Sequence, residues 1–226
     1  MVNLIILGEG QTEEAFVRDV LAPELVVHNV FAEAYLLETS KTGRGGGVTL
    51  DRACKRLEKI LKQRHDTYVT TMFDLYGLGP TFPGFTESRG MNPQTRAAQI
   101  EDLFINEVMA RIGCRRDRFI PHIQPYEFEG LLFSDIRRFG ELEAGWTAHE
   151  TALKEVRNRF ETPEHINDSP HTAPSKRLKS LLKPKYDKVL HGPALAGRIG
   201  LRTIRAACPH FDSWITRLTN LQPLSP

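Results

Sequence analysis

Leu4-Ile5-Ile6-Leu7-Gly8-Glu9-Gly10-Gln11-Thr12-Glu13-Glu14 joins an apolar run to a glycine turn and a helix start. Four consecutive apolar residues leave no polar face, so the run reads as a strand covered on both sides, as in the middle of a parallel sheet. Thr12 is the expected N-cap of the next helix, with Glu13 and Glu14 in a first turn where the helix dipole favours acids. Phe16, Val17, Val20 and Leu21 continue at helical spacing, and Pro23 is the expected stop. A second strand is expected over Ala34 to Glu38, followed by the glycine-rich turn Gly43 to Gly47. An amphipathic helix then shows in Leu50, Ala53, Cys54, Leu57, Ile60 and Leu61. Tyr68 to Phe73 reads as a third strand ending at Asp74. The order β-α-β-α-β implies a parallel sheet with right-handed crossovers.

Beyond it, Gly77 to Pro93 is rich in proline and glycine and reads as a long loop of functional length. Helical spacing returns from Ala97 to Ile112, and Phe119 to Gln124 reads as a fourth strand. The signals after Asp135 are helical, with loops over Thr162 to Pro174 and near Pro209. At 226 residues, with no repeat or linker, the chain reads as one unit: a core over about 1–135 and a helical C-terminal extension over about 136–226. The apolar run Val2 to Leu7 is too short for a membrane span or signal peptide. Cys54, Cys114 and Cys208 lie far apart, which fits neither a disulfide framework nor a zinc site, and a reducing cytoplasm is the expected compartment.

The net charge of +2 conceals an asymmetry. Residues 174–205 carry nine Lys/Arg against Asp187 alone, a net of +8, while the remainder holds 21 basic and 27 acidic residues, a net of −6. Such a block suits a polyanionic partner, and equally a solvated helical face.

Ligands of open parallel sheets bind at the carboxyl ends of the strands. Acids follow three expected strands: Glu9 and Glu13 after the first, Asp74 after the third, Glu127 and Glu129 after the fourth. An acid at one strand end commonly caps a helix. Acids at three such ends would repel unless a cation neutralised them, and oxygen-only donors suit Mg²⁺ or Mn²⁺. Glu127 and Glu129 would face the same way on a strand and diverge at a helix start.

Glu9-Gly10-Gln11-Thr12-Glu13 after an apolar strand resembles the first Toprim motif, and Phe73-Asp74-Leu75-Tyr76-Gly77 stands where Toprim proteins carry Asp-x-Asp. The wider pattern, GEGQTEEAFV (8–17), TMFDLYGLGPTFPG (71–84), PYEFEGLLFSD (125–135), INDSPHTAPSKRL (166–178) and IGLRTIRAACPHFDSW (199–214), resembles a bacterial Toprim-like family of unknown function. That family is related to OLD-type nucleases and to the nuclease subunit of the PARIS anti-phage system. The resemblance spans almost the whole chain. It implies a Toprim-like α/β fold, a parallel sheet sandwiched by helices, and a divalent-metal-dependent nuclease in anti-phage defence. The acids after the fourth strand add Glu129 as the candidate third metal ligand and Glu127 as a supporting acid. The resemblance itself implies Glu9 and Asp74 as metal ligands, with Glu13, the second acid of the motif, in a supporting role. The partners so implied are DNA or RNA and a separate ATPase subunit, with a homo-oligomer left open.

The second aspartate of the motif is replaced by Tyr76, a poor Mg²⁺ ligand because a phenol titrates near 10, and this favours one ion over two. Its hydroxyl is expected to bond a carboxylate or a water. Tyr76 also leaves a non-catalytic effector or a nucleic-acid-binding module as the alternative. Lys176 is the candidate phosphate contact, or else a solvent-facing lysine on a helix that turns Leu178, Leu181 and Leu182 inward. Asp168 reads as a turn residue. Lys41, Arg44 and Gly45 to Gly47 lack the P-loop pattern, His122, His165, His171 and His210 lack zinc-protease spacing, and there is no Gly-x-Ser-x-Gly elbow. Trp146, Phe211 and Trp214 lie at apolar helical positions and read as core.

Overall fold

The first apolar run forms β1 (Val2–Gly8), which lies between two parallel neighbours, as its unbroken hydrophobicity requires. In this computed structural model, which describes residues 1–37, 47–167 and 171–224, β1 pairs with β2 (Val30–Leu36) from Val2↔Val30 to Gly8↔Leu36. On its other side it pairs with β3 (Thr67–Asp74) from Asn3↔Thr67 to Gly8↔Met72. β4 (Phe119–Ile120) and β5 (Ile123–Gln124) follow one another along the far side of β3, also parallel. The result is a five-stranded parallel sheet flanked by helices, the α/β class that the sequence implies.

The pleat of β1 divides two cores. Leu4 and Ile6 join an apolar cluster with Phe16, Leu21 and Phe128 on one face; Ile5 and Leu7 join Leu57, Phe73 and Phe104 on the other. The second face is covered by α3 (Leu50–Gln63) and α4 (Pro93–Ile112). Helix α3 starts at Thr49, whose Oγ1 accepts from Arg52 N (3.4 Å), and buries all six apolar positions of its expected stripe. Helix α4 starts at Asn92 and stops at Gly113, whose φ of 71° lies in the left-handed region that glycine adopts without cost.

The first face carries α1 (Gln11–Phe16), α2 (Ala22–Val26), and the helices of the C-terminal segment. These are α5 (Arg138–Leu142), α6 (Glu150–Asn158), α7 (Pro174–Leu181), α8 (Lys188–Ile199), α9 (Leu201–Ala207) and α10 (Pro209–Thr219). Trp146, Phe211 and Trp214 are buried core residues, in the same cluster as Leu4 and Phe16. No helix among the described residues is long and apolar enough to cross a membrane.

Four boundaries differ from the sequence reading. The first helix is capped by Gly10, and Thr12 lies within its first turn, because the Glu13 carboxylate reaches back to Gly10 N (2.9 Å). Pro23 does not end the helix. A π turn over Val17–Leu21, closed by Ala22 N bonding Val17 O, precedes it, and Pro23 falls in the first turn of α2, where no N–H is needed. The second strand begins and ends earlier than Ala34 to Glu38, and Glu38 itself lies outside the described residues, as do Lys41, Arg44, most of the glycine-rich turn, and Asp168. The fourth strand is broken at Pro121-His122, because Pro121 has no N–H for the ladder. Threonine side chains bridge the gap: Thr71 Oγ1 accepts from His122 N (3.0 Å), and Thr70 Oγ1 donates to Ile120 O.

Candidate functional site

Strands β1 and β3 and the chain beyond β5 all run out at one edge of the sheet, and their acids meet there. Glu9 Oε1 accepts a hydrogen bond from Asp74 N (2.6 Å), and Asp74 Oδ1 accepts from Phe128 N (2.8 Å). Each carboxylate is thus held by the backbone of the next segment. Two glycines make the approach possible. A Cβ at Gly77 would overlap the Glu9 carboxylate, and one at Gly8 would stand 2.9 Å from Glu13 Cβ.

Glu127 caps a 3-10 helix over Phe128–Ser134, so the helix-start alternative for the Glu127/Glu129 pair is the one realised. Glu127 Oε2 accepts from Ser175 N (2.9 Å), which ties the start of α7 to the site. Glu129 Oε2 accepts from Lys188 Nζ (3.1 Å), and Glu127 Oε1 lies 3.9 Å from the same ammonium. Glu13 and Glu129 are buried, while Glu9 and Asp74 are partly exposed, so the cluster has a closed floor and an open mouth.

Burial disfavours the charged carboxylates, and their mutual repulsion adds to it. Burial, then the charge of Glu13, raises Glu9 to about 8. Burial raises Glu13 to about 7 against the Gly10 N–H bond, with Glu129 adding to the rise. Burial and the charges of Glu9, Glu13 and Glu129 push Asp74 well above the usual carboxylate range. Burial also raises Glu129, against the pull of Lys188. For Lys188 burial acts downward, but Glu129, Glu127 and Asp74 outweigh it and strengthen its hold on the proton. Glu129 Oε1 is buried without a hydrogen-bond partner among the described residues.

Lys188 is the residue that sequence reasoning missed. It was one of nine basic residues in its block, and only the docking of α8 against the Phe128–Ser134 turn singles it out. Lys176 is exposed at the start of α7, one residue beyond the Ser175 N–H that Glu127 holds. The Tyr76 oxygen accepts from Asn167 Nδ2, and its ring packs on Tyr126 (5.4 Å between centroids). Outside the acidic edge, an open pocket of about 350 Å³ is lined by Lys179, Lys185 and Lys188.

The spacing of the histidines along the chain shows no metal pattern, yet the fold gathers Glu101, His122 and His210. Among the described residues, this is the one set of three His, Cys, Asp or Glu ligand atoms lying within 4.8 Å of one another. The acids of the sheet edge stand further apart, with the Lys188 ammonium among them.

Such an edge can hold a hard cation, through which a phosphate can approach carboxylates that would otherwise repel it. Comparison with curated proteins finds no match, and neither does comparison with solved structures. One family does match, over residues 8–219, and that range contains every residue of the site. The chain belongs to the family described as Domain of unknown function (DUF4276).

Proposed function

We propose that the chain is a divalent-metal-dependent nuclease of the Toprim type, hydrolysing phosphodiester bonds in nucleic acid. The observation that carries this reading is the convergence of Glu9, Glu13, Asp74 and Glu129 at one open sheet edge, each raised in pKa by burial. Mg²⁺ or Mn²⁺ would be held by Glu9, Asp74 and Glu129. The donor set suits such an ion in its chemistry: it is oxygen-only, its raised pKa values mark carboxyls that a cation would help to ionise, and Glu129 Oε1 is buried without a partner, while the acids would have to draw closer around the ion. An ion bound there supplies positive charge at the scissile phosphate and a lowered pKa for the attacking water.

The chain's own groups do the rest. The Asp74 N–H and Phe128 N–H bonds fix Glu9 and Asp74 before substrate arrives. Glu13 and Glu127 support them, one through Gly10 N and the other through Ser175 N. Lys179 and Lys185 line the pocket outside the acids and offer ammonium groups to a phosphate backbone, and Lys176 offers another at the rim, while the Lys188 ammonium is held by Glu129. A role in bacterial anti-phage defence and a separate ATPase subunit rest on the family resemblance.

One observation favours a second reading, a non-catalytic effector or nucleic-acid-binding module. Tyr76 stands at the second aspartate of the motif, where a phenol replaces a carboxylate ligand and its oxygen accepts from Asn167. The deciding experiment incubates the purified chain with single- and double-stranded DNA and RNA in Mg²⁺, Mn²⁺ or EDTA, beside Asp74→Asn. Cleavage that needs the ion and is lost in Asp74→Asn is the expected result. Binding without cleavage in any ion supports the binding-module form of the second reading, and neither binding nor cleavage overturns the nuclease and leaves the effector.

A further inference from the structure

We propose that Glu101, His122 and His210 form a second metal site, for Zn²⁺ or a similar borderline transition ion, that shares no residue with the acidic edge. The three come from separate elements: Glu101 from α4, His122 from the break between β4 and β5, and His210 from the first turn of α10. Glu101 Oε1 lies 2.8 Å from His210 Nε2 and 3.6 Å from His122 Nδ1. An ion with bonds of about 2.0–2.2 Å in tetrahedral geometry places its ligand atoms about 3.3 Å apart. The two separations from Glu101 straddle that value, and all three ligand atoms lie within 4.8 Å of one another.

The ligands are held from behind, as metal-binding imidazoles are. His122 is fully buried and stacked on Trp214 (centroids 4.3 Å apart, planes 7° apart), with His210 stacked 5.2 Å away. Its other nitrogen, Nε2, lies 3.4 Å from Gln124 Oε1, which leaves Nδ1 directed at Glu101. The start of α10 is fixed by Glu164, whose carboxylate accepts from His210 N (3.0 Å) and Phe211 N (2.9 Å). Glu101 Oε1 also accepts from Ile123 N (2.7 Å), which orients the carboxylate.

A cavity of about 30 Å³ adjoins the three ligands, with Ser213 and Arg217 on its wall. That volume admits one water, enough for a fourth position. Two imidazoles and a carboxylate form a zinc-type donor set, whereas the acidic edge offers oxygen alone. An ion here would join α4, the strand break and α10. The site is therefore a brace between the sheet edge and the C-terminal helices.

The test is a Co²⁺ titration of the full chain after EDTA treatment, read by visible absorption, with the nuclease reading playing no part. One equivalent of tetrahedral Co²⁺, displaced by Zn²⁺, is expected. Affinity should fall at least tenfold in His210→Gln and in Glu101→Gln, and stay unchanged in Glu9→Gln. Glu101→Gln, a near-isosteric change, keeps the test open should His210→Gln not fold. No cobalt band in the wild type, or equal affinity in Glu101→Gln, would overturn the site and leave an ordinary histidine–carboxylate hydrogen bond. Loss of the band in Glu9→Gln alone would overturn it too, by assigning the ion to the acidic edge.

Discussion

Replacing Glu9 with glutamine removes one carboxylate from the acidic edge while keeping the Oε1 acceptor that Asp74 N uses at 2.6 Å. Burial and Glu13 raise Glu9 from 4.5 to about 8. Between those values the folded chain keeps a proton that the unfolded chain has released. Stability without metal therefore falls by about 1.4 kcal/mol per pH unit as pH rises through that window. The contribution is intact below about 4.5 and lost above about 8. Over the whole span the ceiling is about 5 kcal/mol. Solvent at the open mouth and proton sharing with Glu13 and Asp74 reduce this to about 2–4 kcal/mol.

In EDTA, Glu9→Gln should match wild type near pH 5 and exceed it by that amount at pH 8. The assay is urea denaturation followed by circular dichroism at half-unit steps of pH. Saturating Mn²⁺ should reverse the order, because the wild type alone keeps the full ligand set and is stabilised by binding. Parallel pH curves in EDTA would refute the claim that its neighbours strain the Glu9 carboxylate. An order unchanged by Mn²⁺ would refute the metal assignment.

Lys188→Met leaves the buried Glu129 carboxylate without its ammonium. It should destabilise the metal-free chain by about 3 kcal/mol, with tighter Mn²⁺ binding by calorimetry; weaker binding would show that Lys188 does not compete with the ion. Tyr76→Phe removes the hydroxyl that Asn167 donates to and should cost about 1 kcal/mol in urea denaturation with Mn²⁺ affinity unchanged. A tenfold loss of affinity there would place the phenol at the ion. Lys179→Glu combined with Lys185→Glu should flatten the salt dependence of duplex DNA binding by about two units of log–log slope, as two phosphate contacts are lost. An unchanged slope would mean that this face is merely solvated.

Much of the fold was legible because it rests on local patterns. The run Leu4 to Leu7 could only be a strand covered on both faces, and the stripe from Leu50 to Leu61 could only be an amphipathic helix. The misplaced boundaries come from contacts that propensity does not count. Glu13 reaching back to Gly10 moved the cap, and the π turn before Pro23 absorbed a residue that ordinarily ends a helix. Pro121 was a visible warning that the fourth strand would break, but the threonine side chains that span the break belong to β3.

For the site, the order of residues already placed the acids after the strands. In a parallel sheet, strand order carries Glu9, Asp74 and the Glu127/Glu129 pair to the same edge whatever the loops do. What stands opposite them came from packing. Lys188 reaches Glu129 because α8 docks beside the Phe128–Ser134 turn, and His210 meets Glu101 and His122 because α10 packs against the strand break. Those contacts join residues far apart in the chain. They arise from the packing of apolar faces such as Trp146, Phe211 and Trp214, a non-directional force that leaves no spacing in the sequence to mark which polar side chains it brings together.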